Sequence, residues 1–273
     1  MDWIQGDKFK GIADYCYAPI IRHPGDYDLL ENTFSPGNLK EGVSYIYTHT
    51  IYVKMLFNIL QYLKGEFIVI SHNGDVNIDP SFKIPENVIY WYSQNVDQVH
   101  YKLKSLPIGL ANDRWHKALK KKEKMLIQMR QEKRYKNMVY MNHDITTNPE
   151  KREKPYKVLK SKPWVTSHLG VNGKGFEEYI NNIYNHSFVI CPEGNGIDTH
   201  RTWETLYLRS IPIEKRNINN QYYTDLPICF VDDWEEVTEE FLESELTRIT
   251  NEVWYMKKLT FEYWKTIILN GAN

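Results

Sequence analysis

The chain has few cysteines, no long apolar run and almost no net charge, and each shortage removes a class of protein. Cys16, Cys191 and Cys229 are odd in number, far apart and without a C-x-x-C spacing. That argues for reduced, buried thiols rather than a disulfide framework or a redox pair. No run of 18 or more apolar residues occurs, and the opening MDWIQGDKFK has no apolar signal core. Neither a membrane-spanning helix nor a secretory leader is therefore expected, and the expected location is cytoplasmic, or the host cytoplasm for a viral chain. A formal charge of −1 over 273 residues argues against a general nucleic-acid or membrane surface. No internal repeat, low-complexity tract or proline-rich linker is visible, and no G-x-G-x-x-G follows the first strand-like segment, so a nicotinamide fingerprint is missing.

What is present is globular. Hydrophobic residues make up 42% and charged residues 25%, and the length suffices for one large domain or two modest ones. Twenty Tyr and eight Trp are many, and amphipathic aromatics suit a sugar-lined cleft, although most such residues serve a core.

The most telling stretch is Ser187 to Glu214, SFVICPEGNGIDTHRTWETLYLRSIPIE. It reads as a buried strand (Phe188 to Cys191), a glycine loop (Pro192 to Thr199), a helix (about His200 to Leu208) and a second strand from Ile211. Asp198 or Thr199 is placed to cap the helix, and Gly194 and Gly196 let the loop turn tightly around Glu193 and Asn195 with its N–H groups near a ligand. His200 and Arg201 in the first helical turn have the wrong sign for a bare helix N-terminus, a conflict that a bound anion reverses. At 100° per residue, Trp203, Leu206 and Tyr207 share a packing face, while His200, Arg201 and Glu204 share another. Arg201 offers a fork to a diphosphate and Glu204 an acceptor to a ribose or sugar hydroxyl. Glycine loops before helices are also common as plain structure, so the misplaced charges, not the loop shape, carry the reading.

This segment resembles the nucleotide-sugar half of two-Rossmann glycosyltransferases of GT-B architecture, in particular exostosin-like members with a G-N-G-x-D-T-H-R-x-W-E loop before an I-P-[IV] strand. It departs at Arg209 and Ser210, where such relatives tend to have a small residue or glycine. Upstream, Glu66 to Ser71 reads as a buried strand ending in His72-Asn73-Gly74-Asp75. Asn87 to Tyr92 is a second, ending in Ser93-Gln94-Asn95, and Leu103 to Gly109 is a short extended piece. The same elements occur in this order in the exostosin-like relatives, so the resemblance spans most of residues 66 to 233.

Gly42 to Leu63 has approximately helical apolar spacing and is predicted as a helix. Asp113 to Lys136 is a long basic helical segment expected to bridge the two halves, more plausibly a solvated face than a nucleic-acid contact. Met138 to Met141 opens the second half, and Asn142, Thr147, Asn148 and Arg152 follow it where a strand-end loop would close over a donor. GVNGKG from Gly170 marks a turn before the helix FEEYINNIYN, and Val253 to Leu269 is a final helix. Asp232-Asp233 could hold a metal, but Glu235 and Glu236 continue into an acidic first turn, which favours a helix cap.

The expected fold is therefore α/β, two Rossmann-like domains (1–135, acceptor side, and 136–273, donor side) facing across a cleft, with the last helix crossing back to the first domain. The resemblance implies transfer of a sugar from a nucleoside-diphosphate donor, such as a UDP- or GDP-sugar, to an acceptor hydroxyl, inverting and without a metal or other cofactor. Arg201 would stabilise the leaving diphosphate, Asp75 would act as base with His72 in reserve, and Asn73, Gln94 and Asn95 would hold the acceptor. A glycan, a lipid-linked sugar or a modified nucleic acid are all open as acceptor, as is the oligomeric state. The competing reading is an inactive glycan- or nucleic-acid-binding module on the same fold.

Overall fold

A computed structural model describes residues 2–19, 33–133, 135–168 and 175–271. In chain order the elements are α1 (Gly6–Lys10), β1 (Tyr15–Tyr17), β2 (Val43–His49), α2 (Val53–Leu60), β3 (Glu66–His72), β4 (Val88–Ser93), β5 (Leu103–Ser105), α3 (His116–Met129), β6 (Asn137–Met141), α4 (Pro149–Leu159), β7 (Val165–Ser167), α5 (Gly175–Asn185), β8 (His186–Ile190), α6 (His200–Tyr207), β9 (Ile211–Lys215), β10 (Cys229–Val231), α7 (Glu239–Asn251) and α8 (Phe261–Asn270). The strands form two five-stranded sheets whose pairings are all parallel, which makes the protein mixed α/β.

The chain divides into Met1–Asn112 with Thr260–Asn273, and Asp113–Leu259. This differs from the expected boundary at 135. The basic helix α3 belongs to the second unit, where Lys121 pairs with Glu204 and Lys124 with Glu177, so its lysines bind partners of that unit rather than forming a bare bridge. The expected helix over 42–63 is also corrected: Val43–His49 is a strand, Thr50–Tyr52 a 3₁₀ turn, and the α-helix is confined to Val53–Leu60. Val-Ser-Tyr-Ile-Tyr-Thr is β-branched and aromatic and packs between β1 and β3, so tertiary pairing overrides an approximate helical spacing. The final helix is shorter than expected as well, because Met256–Leu259 is a 3₁₀ turn before α8.

In the first unit the strands lie in the order β1-β2-β3-β4-β5, the order of the chain itself. The central strands are buried on both faces through Ile46, Phe67, Ile68, Val69, Ile70 and Trp91. Helix α8 packs here: Phe261 N–H and Glu262 N–H bind the Asp2 backbone and carboxylate, Phe9 meets Phe261 edge to face, and Tyr45 OH donates to the Leu269 carbonyl.

In the second unit the order is β10-β9-β8-β6-β7. The chain steps from β6 outward to β7 and then returns to the other side of β6 as β8, so the winding direction reverses between β6 and β8. In doubly wound sheets such a reversal opens a crevice at the carboxyl ends of the strands. One sheet face buries Val139, Met141, Phe188, Ile190, Ile211, Ile213, Cys229 and Val231 against Leu159 of α4 and Leu242 and Ile249 of α7. The alternate residues Tyr140 and Val189 are buried on the opposite face, as period-two side chains of a doubly covered parallel sheet must be. After α6, Arg209 adopts the left-handed conformation (φ 60°), and Ser210 N–H reaches back to the Thr205 carbonyl at 3.0 Å. This is the helix exit where glycine would serve most cheaply, which is why the departure at Arg209 is tolerated but not free.

Candidate functional site

Two loops meet at the reversal point: Asn142–Asn148 after β6 and Cys191–Thr199 after β8. Asn148 stitches them together. Its side chain caps α4 by accepting from Lys151 N–H and donates through Nδ2 to the Gly194 carbonyl at 2.7 Å. Gly194 N–H closes the glycine loop on the Gly196 carbonyl at 2.9 Å. The segment from Pro149, expected from the sequence to continue the strand-end loop, is instead the first part of α4, and the N-terminal ends of α4 and α6 flank the same pair of loops.

Arg152, on the inner side of α4, is buried at 8% exposure. Nε donates to the Glu193 carbonyl at 2.8 Å and Nη1 to the Asp144 carbonyl at 3.0 Å, so the fork is fixed by main chain rather than by a carboxylate. A Cβ on Gly194 would lie 2.9 Å from Arg152 Nη2, which explains glycine there by space alone. Arg201 donates from Nη2 to the Asn142 carbonyl, while its Nε, sealed from solvent, has no hydrogen-bond partner. The two guanidiniums repel. Burial first, and Arg201 second, push Arg152 down to about 10.

Two more polar atoms here are buried without a partner, Thr199 Oγ1 and His143 Nδ1. Thr199 occupies the N-cap position of α6 in extended conformation but makes no side-chain cap bond. Asp198 does not cap either, since both its oxygens accept from the Trp203 indole N–H at 2.9 and 3.0 Å. Orphan donors at a helix start, together with buried cations, constitute an electropositive seat.

Other predicted residues fall elsewhere. Glu204 is only 3% exposed and is taken by the protein: Lys121 Nζ lies 2.5 Å from Oε1 and Tyr179 OH donates to Oε2 at 2.7 Å. One turn deeper than Arg201, it is an internal ion-pair member and not an open acceptor. Burial would raise its pKa, but Lys121, His200 and Tyr179 together outweigh it and the pKa is lowered. His200 is half-buried beside it, whereas Thr147 and Asn195 are exposed and Gly196 is buried in the loop. Asp233 caps the 3₁₀ turn Trp234–Glu236 in a capping box with Glu236 and pairs with Lys154 at 2.6 Å, as the acidic first turn suggested. The GVNGKG turn, apart from Gly175, lies outside the described residues.

In the first unit the strand-end residues satisfy one another. His72 is 1% exposed, stacks on Phe9, and engages the Pro107 carbonyl through Nε2 at 3.1 Å while Nδ1 meets the Asn73 N–H at 2.8 Å. Asn73, at φ 59°, donates to Asp7 and Tyr47 and accepts from Asn112, and its N–H donates to Gln94 Oε1. Gln94 and Asn95 both donate to the Gly74 carbonyl. These four build the turn; Asp75 alone of the set is exposed.

Two residues around the seat, His143 and Glu214, carry no signal in a single sequence, whereas Glu193 belongs to the expected donor loop. His143 follows β6 as an ordinary loop histidine. Glu193 accepts from Asn217 at 3.2 Å and lies 3.8 Å from Lys151. Glu214, at the end of β9, accepts from Thr202 and Asn220, yet burial raises it to about 7, with Glu193 adding to the rise. No model of a protein family matches the chain, and a comparison with curated proteins finds no match either.

Proposed function

We propose that the protein is a glycosyltransferase that takes a sugar from a nucleoside-diphosphate donor, with the diphosphate held at the reversal point of the second unit. The observation that carries this reading is the pairing of Arg152 and Arg201, both without a carboxylate in hydrogen bond, at the carboxyl ends of β6 and β8. Burial disfavours both charged guanidiniums; Arg201 is nonetheless held charged by neighbours that include Glu204, and Asp144 partly offsets the burial of Arg152. Neither fork is hydrogen-bonded to a carboxylate, so an anion accepting from both offsets the remaining desolvation. Two guanidiniums and two helix starts supply more positive potential than one monophosphate requires, which favours a diphosphate. A leaving nucleoside diphosphate develops negative charge as the sugar departs, and preorganised donors stabilise that charge most.

On this reading catalysis is metal-independent and inverting, with Asp75 accepting the acceptor proton. His72, Asn73, Gln94 and Asn95 support that turn instead of touching substrate, since their polar atoms are committed to the fold. The test is a thermal-shift screen with UDP-, GDP-, ADP- and CMP-sugars, followed by donor hydrolysis and transfer assays in EDTA. Stabilisation by one donor class, turnover that survives EDTA, and loss of turnover but not of donor binding in Asp75→Asn are the expected results. Donor binding without hydrolysis or transfer favours the inactive binding module, and no stabilisation by any diphosphate refutes the seat.

A further inference from the structure

His143 follows β6 within the electrostatic reach of both arginines, and the geometry leaves half of its ring unused. The side chain is 1% exposed. Nε2 lies 2.9 Å from the Arg152 carbonyl, an acceptor only, so Nε2 carries the hydrogen and Nδ1 presents a bare lone pair. Nδ1 is buried and has no hydrogen-bond partner. The nearby cations donate elsewhere: Arg152 to the Glu193 and Asp144 carbonyls, Arg201 to the Asn142 carbonyl. A lone pair stranded beside two guanidiniums is a poor arrangement for the empty protein. It becomes a good one when an anion arrives, because an imidazolium can then donate from Nδ1 to the anion while Nε2 keeps its bond to the Arg152 carbonyl.

We propose, resting on the anion seat above, that His143 is the third cationic ligand of the diphosphate, entering neutral and taking up one proton at Nδ1 from solvent as the anion binds. The groups that set its charge are Arg201 on α6, Arg152 on α4 and Asp144 on its own loop. In the empty seat burial is the largest influence, and the two arginines add to it, holding His143 down at about 4 against the Asp144 carboxylate and the Arg152 carbonyl. A bound dianion cancels the arginine field and, accepting from Nδ1, adds its own attraction against the cost of burial, so the same ring holds its proton more tightly in the complex than in the empty seat. Proton uptake and anion binding are thereby linked, and affinity rises as pH falls between the empty and the occupied pKa.

The test is isothermal titration of the full chain with sulfate, which stays doubly charged throughout, and with uridine diphosphate, in buffers of different ionisation enthalpy from pH 6 to 8. Uptake approaching one proton per anion is expected, with affinity tightening by up to about tenfold per pH unit lowered. His143→Gln, which can donate to the Arg152 carbonyl but cannot ionise, should bind with no proton uptake and a flat sulfate profile. Should that variant fail to fold, the ¹⁵N imidazole spectrum of the wild-type protein decides. Nδ1 must change from bare to protonated on adding sulfate, and a bare Nδ1 in the complex overturns the proposal. Tight sulfate binding without uptake overturns it too but leaves the seat standing, whereas no binding of either probe removes the seat itself.

Discussion

Replacing Arg201 by methionine separates a residue kept for a ligand from one kept for the fold. The variant loses one charge-assisted hydrogen bond, to the Asn142 carbonyl, worth about 1.5–3 kcal/mol. It also removes a buried Nε with no partner, a penalty of about 1–3 kcal/mol. Arg152 is pushed down to about 10, mostly by burial and next by Arg201, so the substitution relieves the smaller part of that penalty. Glu204 keeps its principal counter-ion, Lys121, and its bond from Tyr179. Gains and losses nearly cancel, and the unliganded variant should stay within about 2 kcal/mol of wild type, against about 3–5 kcal/mol for stripping a partner from a buried ion pair. Uridine diphosphate at one hundred times its dissociation constant should add about 2.7 kcal/mol to the wild-type protein and almost nothing to the variant. Urea unfolding with and without the nucleotide reads both numbers. A loss well above 3 kcal/mol without ligand, or a ligand gain that survives the substitution, would falsify the assignment of Arg201 to the anion.

Other outcomes follow from the same geometry. Gly194→Val should leave the backbone unstrained, since Gly194 is not among the residues with positive φ, but it forces the Arg152 fork aside; nucleotide affinity should fall about tenfold or more, near 1.4 kcal/mol, and unchanged binding would detach Arg152 from the seat. Lys121→Met strands a carboxylate that is 3% exposed and should cost about 3 kcal/mol or more by urea unfolding, whereas Glu204→Gln should cost less because Lys121 can still reach water. If the two substitutions cost the same, the pair is not the buried contact described. Glu214 is held above its unfolded value, so its contribution is complete below about pH 4.5 and is lost as pH rises through about 7. Glu214→Gln should therefore match wild type at pH 4.5 and be more stable by on the order of 1–3 kcal/mol above pH 8, and a gain that is independent of pH would contradict the cause.

Much of the second unit's architecture is legible in the chain because its signals are local. The buried run SFVICP, the glycines and the charge conflict at His200-Arg201 lie within thirty residues of one another and need no tertiary knowledge. The strand over Val43–His49 reads as helix because its apolar spacing fits both periods loosely, and only pairing with β1 and β3 decides. Arg152 is expected in a strand-end loop, and only the structure shows that it lies on α4 with its side chain buried. Glu204 reads as a ligand contact until Lys121, 83 positions earlier, is found on it. His143 and Glu214 are invisible for the same reason: their states are set by neighbours distant in sequence, and no spacing encodes them.

The assignment of α8 to the first unit bears on how the molecule is made. Residues 113–259 form an uninterrupted insertion, and the piece that completes the unit around it is translated after it. On the ribosome, the second unit has all of its strands before Phe261 and Glu262 can reach Asp2, so the first unit, though begun earlier, is completed later. A stop codon near position 260 should then release a nascent protein with an intact α6 seat and an unsealed amino-terminal sheet.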